Sequence, residues 1–438
     1  MAVALIAAIL CLLGRFEPVK QFDTQGYSDF PFNNLTNALN HQRTFAYPAF
    51  LKFFEVAKES NAIIPLAQFL IAIFSIAVFF ATLLFLRWNA WLSLAAVLPI
   101  LTCPMVLEYT SLLTPDLLAQ SLGLLAVSFW LQIVYGRSTV VGLVGLSFSV
   151  FLAYQTKPSY LFLLGFIPIG GAIARWWLFS ERKDSWWTGV QLALASVVPF
   201  IGWCYLRWIV VGHFGLVSFG GYNVIGVAGQ LLERGSVDRF SASVQPLAKE
   251  ILNRRDQKKN WERKFSYTTW ESQFNPMVWE IAVPAAETLF DKDSRRMNFE
   301  LSRLSREIIR DQLIGYLVWI ALAAKHAFTE CFELTIRNPM VLLSLGLMLF
   351  GHANNCKHRV GKSAVACVQR DGCQAPTMEY QTMVWLALGY AFCSLMLVIL
   401  VEVPISRYCA PAAIFLSSVL GMLGVDMAFR NSRWMYSP

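Results

Sequence analysis

Apolar runs recur at 2–14, 62–86, 89–107, 117–135, 139–154, 160–179, 188–211, 382–402 and 410–428, with weaker ones at 313–328 and 338–352. A bilayer core about 30 Å thick takes about 20 apolar residues per helix. Lipid offers backbone N–H and C=O groups no partners, so such runs cross as helices that satisfy themselves. The pattern therefore predicts an all-α polytopic membrane protein. Composition agrees where it discriminates: 15% of the 438 residues are charged, against about 25% in soluble domains. The net charge of +8 is no nucleic-acid signature here, because Lys and Arg accumulate in the cytoplasmic loops of membrane proteins. A soluble enzyme, a disordered chain and a nucleic-acid binder are thereby excluded.

The same loop charges set the orientation. Arg87, Arg137 and the Arg175/Arg182/Lys183 group mark the inner side at alternate turns, which puts 15–61, 108–116, 155–159 and 212–312 outside. Lys357, Arg359, Lys362 and Arg370 in the loop 353–381, and Arg430 and Arg433 in the tail, are assigned to the inside. That assignment requires one crossing between 312 and 353. Ile314–Ala324 is short for a span, so 300–335 is expected to be an amphipathic interfacial stretch and 338–352 the crossing. About ten transmembrane helices result, or eleven if both runs cross. The expected organisation is an N-terminal transmembrane module at 1–211, with its first outer loop at 15–61, then an extracytoplasmic loop with interfacial helices at 212–337, and a C-terminal transmembrane module at 338–438. Met1 opens directly on apolar sequence with no basic flank and no small-residue cleavage site, so no signal peptide is read, and further residues ahead of Met1 are expected.

Cys11, Cys103, Cys204, Cys393 and Cys409 lie in or beside apolar runs, where Cys behaves as a small hydrophobe. His352, Cys356, His358, Cys367 and Cys373 share one loop but lack the Cys-x-x-Cys pairing of structural zinc sites. Reduced thiols are the plainer reading.

The first outer loop holds the most informative residues: Phe22-Asp23-Thr24-Gln25-Gly26-Tyr27, then Arg43-Thr44-Phe45-Ala46-Tyr47-Pro48-Ala49-Phe50-Leu51. A carboxylate at interface height can take a proton from a hydroxyl while that oxygen attacks an electrophile. Taken alone, a loop Asp is more often a solvated surface residue. Together the two segments resemble the first extracytoplasmic loop of GT-C superfamily glycosyltransferases, integral-membrane enzymes such as the protein O-mannosyltransferases and lipid A aminoarabinose transferases. Bacterial members carry an Asp-Ser-x-x-Tyr-like motif, which Asp23–Tyr27 matches. An Arg-Thr-Pro-Gly-Tyr-Pro-x-Phe-Leu-like motif follows in them, and here Phe45-Ala46 replaces its Pro-Gly. Thr114-Pro115-Asp116, Lys157-Pro158, Gly220-Gly221-Tyr222-Asn223 and Arg407-Tyr408-Cys409-Ala410-Pro411 extend the resemblance over most of the chain.

The resemblance implies a GT-C-like membrane glycosyltransferase of the plasma (inner) membrane, acting on its extracytoplasmic side. A polyprenyl-phosphate-linked sugar would be the donor, and a lipid, glycan or protein hydroxyl the acceptor. Asp23 would be the catalytic base of an inverting displacement. Lys157 and Arg407 would neutralise the departing phosphate, with Arg43, Tyr27 and Tyr408 completing the donor site. A divalent metal stays open, with Asp116 as its holder or as the orienting group for a basic partner. No other cofactor is implied, and no Gly-rich phosphate loop supports nucleotide-sugar use.

Independently of the resemblance, the orientation puts Asp23, Arg43, Glu108, Asp116, Lys157 and Arg407 at outer helix ends. Ionisable groups near membrane depth are costly unless paired or facing a cavity. Single charges also snorkel to the interface, the plainer reading for Glu108. A transporter or flippase of lipid-linked sugars is the alternative. Such proteins show repeated halves with broken helices near the midplane, whereas seven runs precede the long polar stretch here and fewer follow it. Partial desolvation is expected to raise the Asp23 carboxyl above its ordinary value of about 3.9.

Sidedness is checked by cysteine labelling with an impermeant reagent. Lys20→Cys and Ser272→Cys should react from outside and Lys362→Cys should stay protected; a reactive Lys362→Cys would require the eleven-span arrangement.

Overall fold

The structure, a computed structural model, describes residues 2–55, 63–136, 139–179, 182–258, 261, 266–291, 293–360 and 378–429. Among these the chain is helical, with one isolated parallel bridge between Val19 and Leu112 and no strand. Helix α1 (Ala2–Leu12) leads into the first loop, which contains α2 (Thr24–Ser28) and α3 (Leu35–Asn40). The N-terminal bundle continues with α4 (Ala46–Glu55), α5 (Ile63–Phe85), α6 (Ala90–Leu101), α7 (Pro104–Tyr109), α8 (Asp116–Tyr135), α9 (Val140–Thr156), α10 (Leu163–Phe179) and α11 (Arg182–Val211). The polar stretch folds as α12 (Gly220–Leu231), α13 (Gln245–Asp256), α14 (Tyr267–Asn275), α15 (Val283–Phe290) and α16 (Ser294–Asp311). The chain closes with α17 (Leu313–Ile336), α18 (Pro339–Val360), α19 (Met378–Val401) and α20 (Ser406–Phe429).

Among the described residues, six helical segments are long and apolar enough to cross a membrane: α5, Pro158–Trp177, the bulk of α11, α8, α19 and α20. Three further expected spans, α1, α6 and α9, are shorter apolar helices. Helix α8 is apolar on all faces, as a helix enclosed by others must be; 83% of its apolar window is buried, against 22% for α11. Helix α8 packs on α5 and α9, and α20 packs on α6, α18 and α19. Helix α11 instead turns residues such as Trp186, Leu194, Ile201 and Trp208 outward, as a lipid-facing helix does.

The region after 312 differs from expectation. The run at 314–324 is the start of a 24-residue helix, α17, which continues past the exposed Lys325, with His326 stacked on Tyr267 and paired to Glu330 one turn on. Helices α17 and α18 form a pair bent by 76°, either a broken span or a re-entrant loop. The bend sits at Asn338-Pro339, where proline disfavours a helical conformation in the residue before it. Asn338 is buried and donates to Pro99 O at 2.6 Å while accepting from Thr102 Oγ1 at 2.9 Å. Helix α16 is amphipathic, burying Met297, Leu301, Leu304 and Ile308 against α12 at helical spacing. Arg137, Lys362, Cys367, Arg370, Cys373, Arg430 and Arg433 lie outside the described residues, as do the side chains of Arg182, Lys183, His352, Cys356, Lys357, His358 and Arg359.

Close approach of α20 to α6 needs a glycine. A Cβ on Gly421 would stand 2.3 Å from Ala95 O, a backbone atom that cannot swing away. Gly421→Val should therefore destabilise the bundle by about 1–3 kcal/mol through overpacking, read as a lowered melting temperature in detergent. A wild-type melting temperature would contradict this contact.

Candidate active site

The site begins with how the first loop is pinned. Val19 N–H donates to Ser111 O at 2.8 Å, Leu113 N–H donates to Val19 O at 3.0 Å, and Thr24 Oγ1 donates to Leu113 O at 3.0 Å. These bonds hold the loop carrying Asp23 against the one leading to Asp116. Gln68, fully buried on α5, extends the clamp: its Nε2 donates to Thr110 O and Leu112 O at 3.2 and 3.1 Å, and Oε1 accepts from Tyr47 at 3.2 Å. Arg207 near the end of α11 donates to Leu39 O at 2.8 Å and Ser218 Oγ at 2.9 Å, tying the far side of the loop to the chain entering α12. Phe45 stacks on Trp203 at 5.2 Å, so the residue replacing the Pro of the resembled motif anchors the loop to α11.

Each charged residue then follows from its element. Asp116 is the first residue of α8, where the helix dipole favours a carboxylate. Lys157 ends α9 in an extended conformation (φ −144°, ψ 115°) ahead of Pro158, as a residue preceding proline should. Arg407 lies in the first turn of α20. Arg43 is set by its own N–H, which donates to His41 Nδ1 at 3.1 Å.

Five charges from four separate stretches meet at one end of the bundle, Asp23 and Arg43 both coming from the first loop. Arg43 Nη2 donates to Asp23 Oδ1 at 2.7 Å, and Arg407 Nη1 to Asp23 Oδ2 at 2.9 Å. Arg407 Nε lies 3.0 Å from both Asp116 oxygens, and Lys157 Nζ lies 2.6 Å from Asp116 Oδ1. Arg407 thus bridges the two carboxylates. The Asp116 side chain is wholly buried, whereas that of Asp23 is 25% exposed. Tyr27 accepts from Arg43 at 3.4 Å and lies under its guanidinium, 4.9 Å from ring centre to Cζ. Tyr408 places its ring 4.7 Å from Lys157 Nζ. Glu108 is exposed on α7 and stays outside the cluster. Arg87 and Arg175 sit at the opposite end: the chain just past Arg87 bonds Glu379 at the start of α19, and Arg175 donates to Val134 O near the end of α8.

The charges open into a cavity of about 330 Å³ lined by Asp23, Tyr27, Arg43, Lys157, Arg407 and Tyr408, with an apolar wall from Leu161, Val217, Leu397 and Val401. Asn223 of α12 also lines it. Burial works to raise the Asp23 carboxyl, but Arg43 and Arg407 outweigh it and hold the group below its ordinary value. The upward shift expected from sequence is therefore corrected: two guanidiniums win over partial desolvation.

A divalent metal does not fit this donor set. Both Asp116 oxygens already accept from cations, and no three His, Cys, Asp or Glu side chains converge among the described residues. Asp116 has the surroundings of a group that orients basic partners.

Sequence reasoning missed Glu402, half-buried in the cavity wall one residue past α19, and also Gln68 and Arg207. A signal existed for each: all are polar or charged groups within or beside an apolar run, a rare placement in membrane helices.

Among solved structures the chain is similar to the crystal structure of ArnT from Cupriavidus metallidurans bound to undecaprenyl phosphate, at 15% identity and a TM-score of 0.37, over 98% of this chain and 78% of that one. Likeness at that level transfers no residue role. No family model and no curated protein sequence matches the chain.

Burial separates the two aspartates. Asp116→Asn removes the carboxylate from Lys157, whose side chain is almost buried and touches only the edge of the cavity, and breaking such a pair costs about 3–5 kcal/mol. Asp23→Asn, at a partly exposed side chain, should cost under about 1 kcal/mol. Thermal melts of the two variants in one detergent check this, and an Asp116→Asn protein as stable as wild type would mean the pair is not sealed from water.

Proposed function

We propose that this chain is a membrane glycosyltransferase that moves a sugar from a polyprenyl-phosphate donor to an acceptor hydroxyl on the extracytoplasmic face. One observation carries the reading: Asp23, Arg43, Lys157 and Arg407 converge on one cavity at the ends of membrane helices, with Asp116 buried behind Lys157 and Arg407 and paired to both. Three cations face two carboxylates there, leaving one positive charge in excess to attract an anion. The adjoining apolar wall suits an isoprenoid chain, whose phosphate would then sit at interface height. The motif resemblance to GT-C enzymes of the first loop, the Lys157-Pro158 step and the Arg407-Tyr408 helix start supports the same chemistry.

The roles follow from the pairing. An incoming donor phosphate competes with Asp23 for Arg43 and Arg407, and as those guanidiniums turn to phosphate, Asp23 loses counter-charge and gains basicity. It then accepts the proton of the acceptor hydroxyl as that oxygen bonds the anomeric carbon from the side opposite the phosphate. The carbon–phosphate-oxygen bond breaks with its electron pair leaving on the polyprenyl phosphate, and the anomeric centre inverts. Arg407 and Lys157, held by Asp116, stabilise the charge growing on the leaving group, usually the largest catalytic contribution in such sites. Tyr408 and Tyr27 brace Lys157 and Arg43.

Two carboxylates in the first loop provide the test. Asp29 is exposed and outside the cluster. General-base contributions are typically about 10²–10⁴-fold, so Asp23→Asn should lose at least about two orders of magnitude in sugar transfer from a polyprenyl-phosphate donor in liposomes, while Asp29→Asn loses little. Activity in both variants would sink the reading and leave a flippase as the better account.

The pH profile is a second test. Asp23 works as carboxylate and is held below its ordinary value in the free protein. Its contribution is present above that lowered value and lost as pH falls through it, so the acid limb of kcat/KM should lie below about pH 4. A limb near pH 6 would assign the titration to another group.

A further inference from the structure

Glu402 is the acidic lining residue that the mechanism leaves unused. It sits where α19 gives out, its N–H donating to Val398 O at 2.8 Å, and its side chain lines the cavity beside Lys157, Arg407 and Tyr408. Asp23 and Asp116 are each bonded to cations, whereas Glu402 makes no ion pair with a described residue. Its segment is rigidly placed: Trp319 Nε1 donates to Ile399 O at 3.1 Å, Tyr316 to Leu400 O at 2.6 Å, Tyr267 to Pro404 O at 3.2 Å and Ser406 to Glu330 at 2.5 Å. A carboxyl group is thus built into the wall of a cavity whose other charges select an anion.

The charge count makes its proton decisive. With Glu402 neutral the cavity keeps one excess positive charge; with Glu402 ionised the count falls to zero and a bare carboxylate meets the incoming phosphate. We propose that Glu402 recognises the lipid phosphate in its carboxylic acid form, donating its O–H to a phosphate oxygen that Lys157 and Arg407 attract. This inference rests on the polyprenyl-phosphate reading of the cavity. Burial pushes the Glu402 carboxyl up to about 8, against the pull of a neighbouring backbone N–H, Arg407 and Lys157, so the acid form prevails at neutral pH. The titratable groups around it are Arg407 and Tyr408 from α20, Lys157 from the end of α9, and Asp23, Tyr27 and Arg43 from the first loop. Tyr267 of α14, Tyr316 of α17 and the Glu330–His326 pair lie behind its segment. Paired carboxyl groups pushed in opposite directions divide roles in this way: Asp23 is kept charged to accept, and Glu402 neutral to donate.

The test is binding of undecaprenyl phosphate to the full chain in nanodiscs, from about pH 6.5 to about pH 9.5, for wild type, Glu402→Gln and Glu402→Ala. Wild type should weaken about tenfold per pH unit once Glu402 is ionised. Glu402→Gln, which keeps a neutral donor, should bind within about threefold of wild type at neutral pH and lose the alkaline fall, and Glu402→Ala should bind at least about tenfold more weakly throughout. Wild-type binding that stays flat with pH, or an alkaline fall that persists unchanged in Glu402→Gln, overturns the proposal while leaving the lipid-phosphate site standing. Wild type and Glu402→Gln decide the matter even if the alanine variant does not fold. No undecaprenyl phosphate bound at any pH overturns both this proposal and the reading on which it rests.

Discussion

The Asp116 carboxylate is the group on which the site is built. It is wholly buried, yet both oxygens are satisfied by Lys157 and Arg407 at 2.6–3.0 Å. A buried ionised carboxylate without partners would be prohibitive, so α8, the end of α9 and the start of α20 can pack together only while that triad is intact. Arg407 then has its Nη1 left over, and it reaches Asp23 at 2.9 Å. One buried charge thereby fixes where the partly exposed base of the proposed reaction stands.

The first loop reaches that position by main-chain pairing. Val19 and Leu112 form a two-bond bridge, and Gln68 answers the carbonyls of residues 110 and 112. In a membrane protein such bonds are demanded by the setting, because backbone groups held away from water need partners. Arg207 does the same on the other side of the loop, supplying donors to carbonyls near residues 39 and 215. The loop is therefore held at Val19 and Leu39, with Asp23 between them and Arg43 just beyond. From the other direction, α14 and α17 hold the α19–α20 connection through four hydrogen bonds. Changes in the 212–337 region have a direct mechanical route to Glu402 and Arg407.

The cavity joins two environments that a lipid-linked donor needs at once. Its charged floor has three cations against Asp23 and the buried Asp116 behind it, and its wall is aliphatic. The opposing shifts of Asp23 and Glu402 come from their neighbours: two guanidiniums touch the first, and none among the described residues pairs with the second. A carboxyl group's burial alone does not say which form it takes, which is why the expected upward shift of Asp23 failed while the same reasoning suits Glu402.

Much was legible in the chain itself. Apolar runs of span length determine helices in lipid, and α5, α8, α10, α11, α19 and α20 lie where those runs stand. Charges at helix ends are expensive, so Asp23, Arg43, Asp116, Lys157 and Arg407 stood out before any geometry, and alternating loop charge put them at one end. The sequence was silent on pairing, because hydrophobic patterning ranks positions by burial and carries no distance. Only the tertiary structure decided that Arg407 bridges Asp23 and Asp116, that Glu108 stays out, and that Glu402 enters the cavity. It also decided that 313–336 is one helix bent from the next at Asn338, since the buried bonds of Asn338 to Pro99 and Thr102 join residues more than two hundred positions apart. Local sequence sets which segments cross the membrane and what each helix end presents; the meeting of those ends is a property of packing, where each charge must find the partner that lets it leave water.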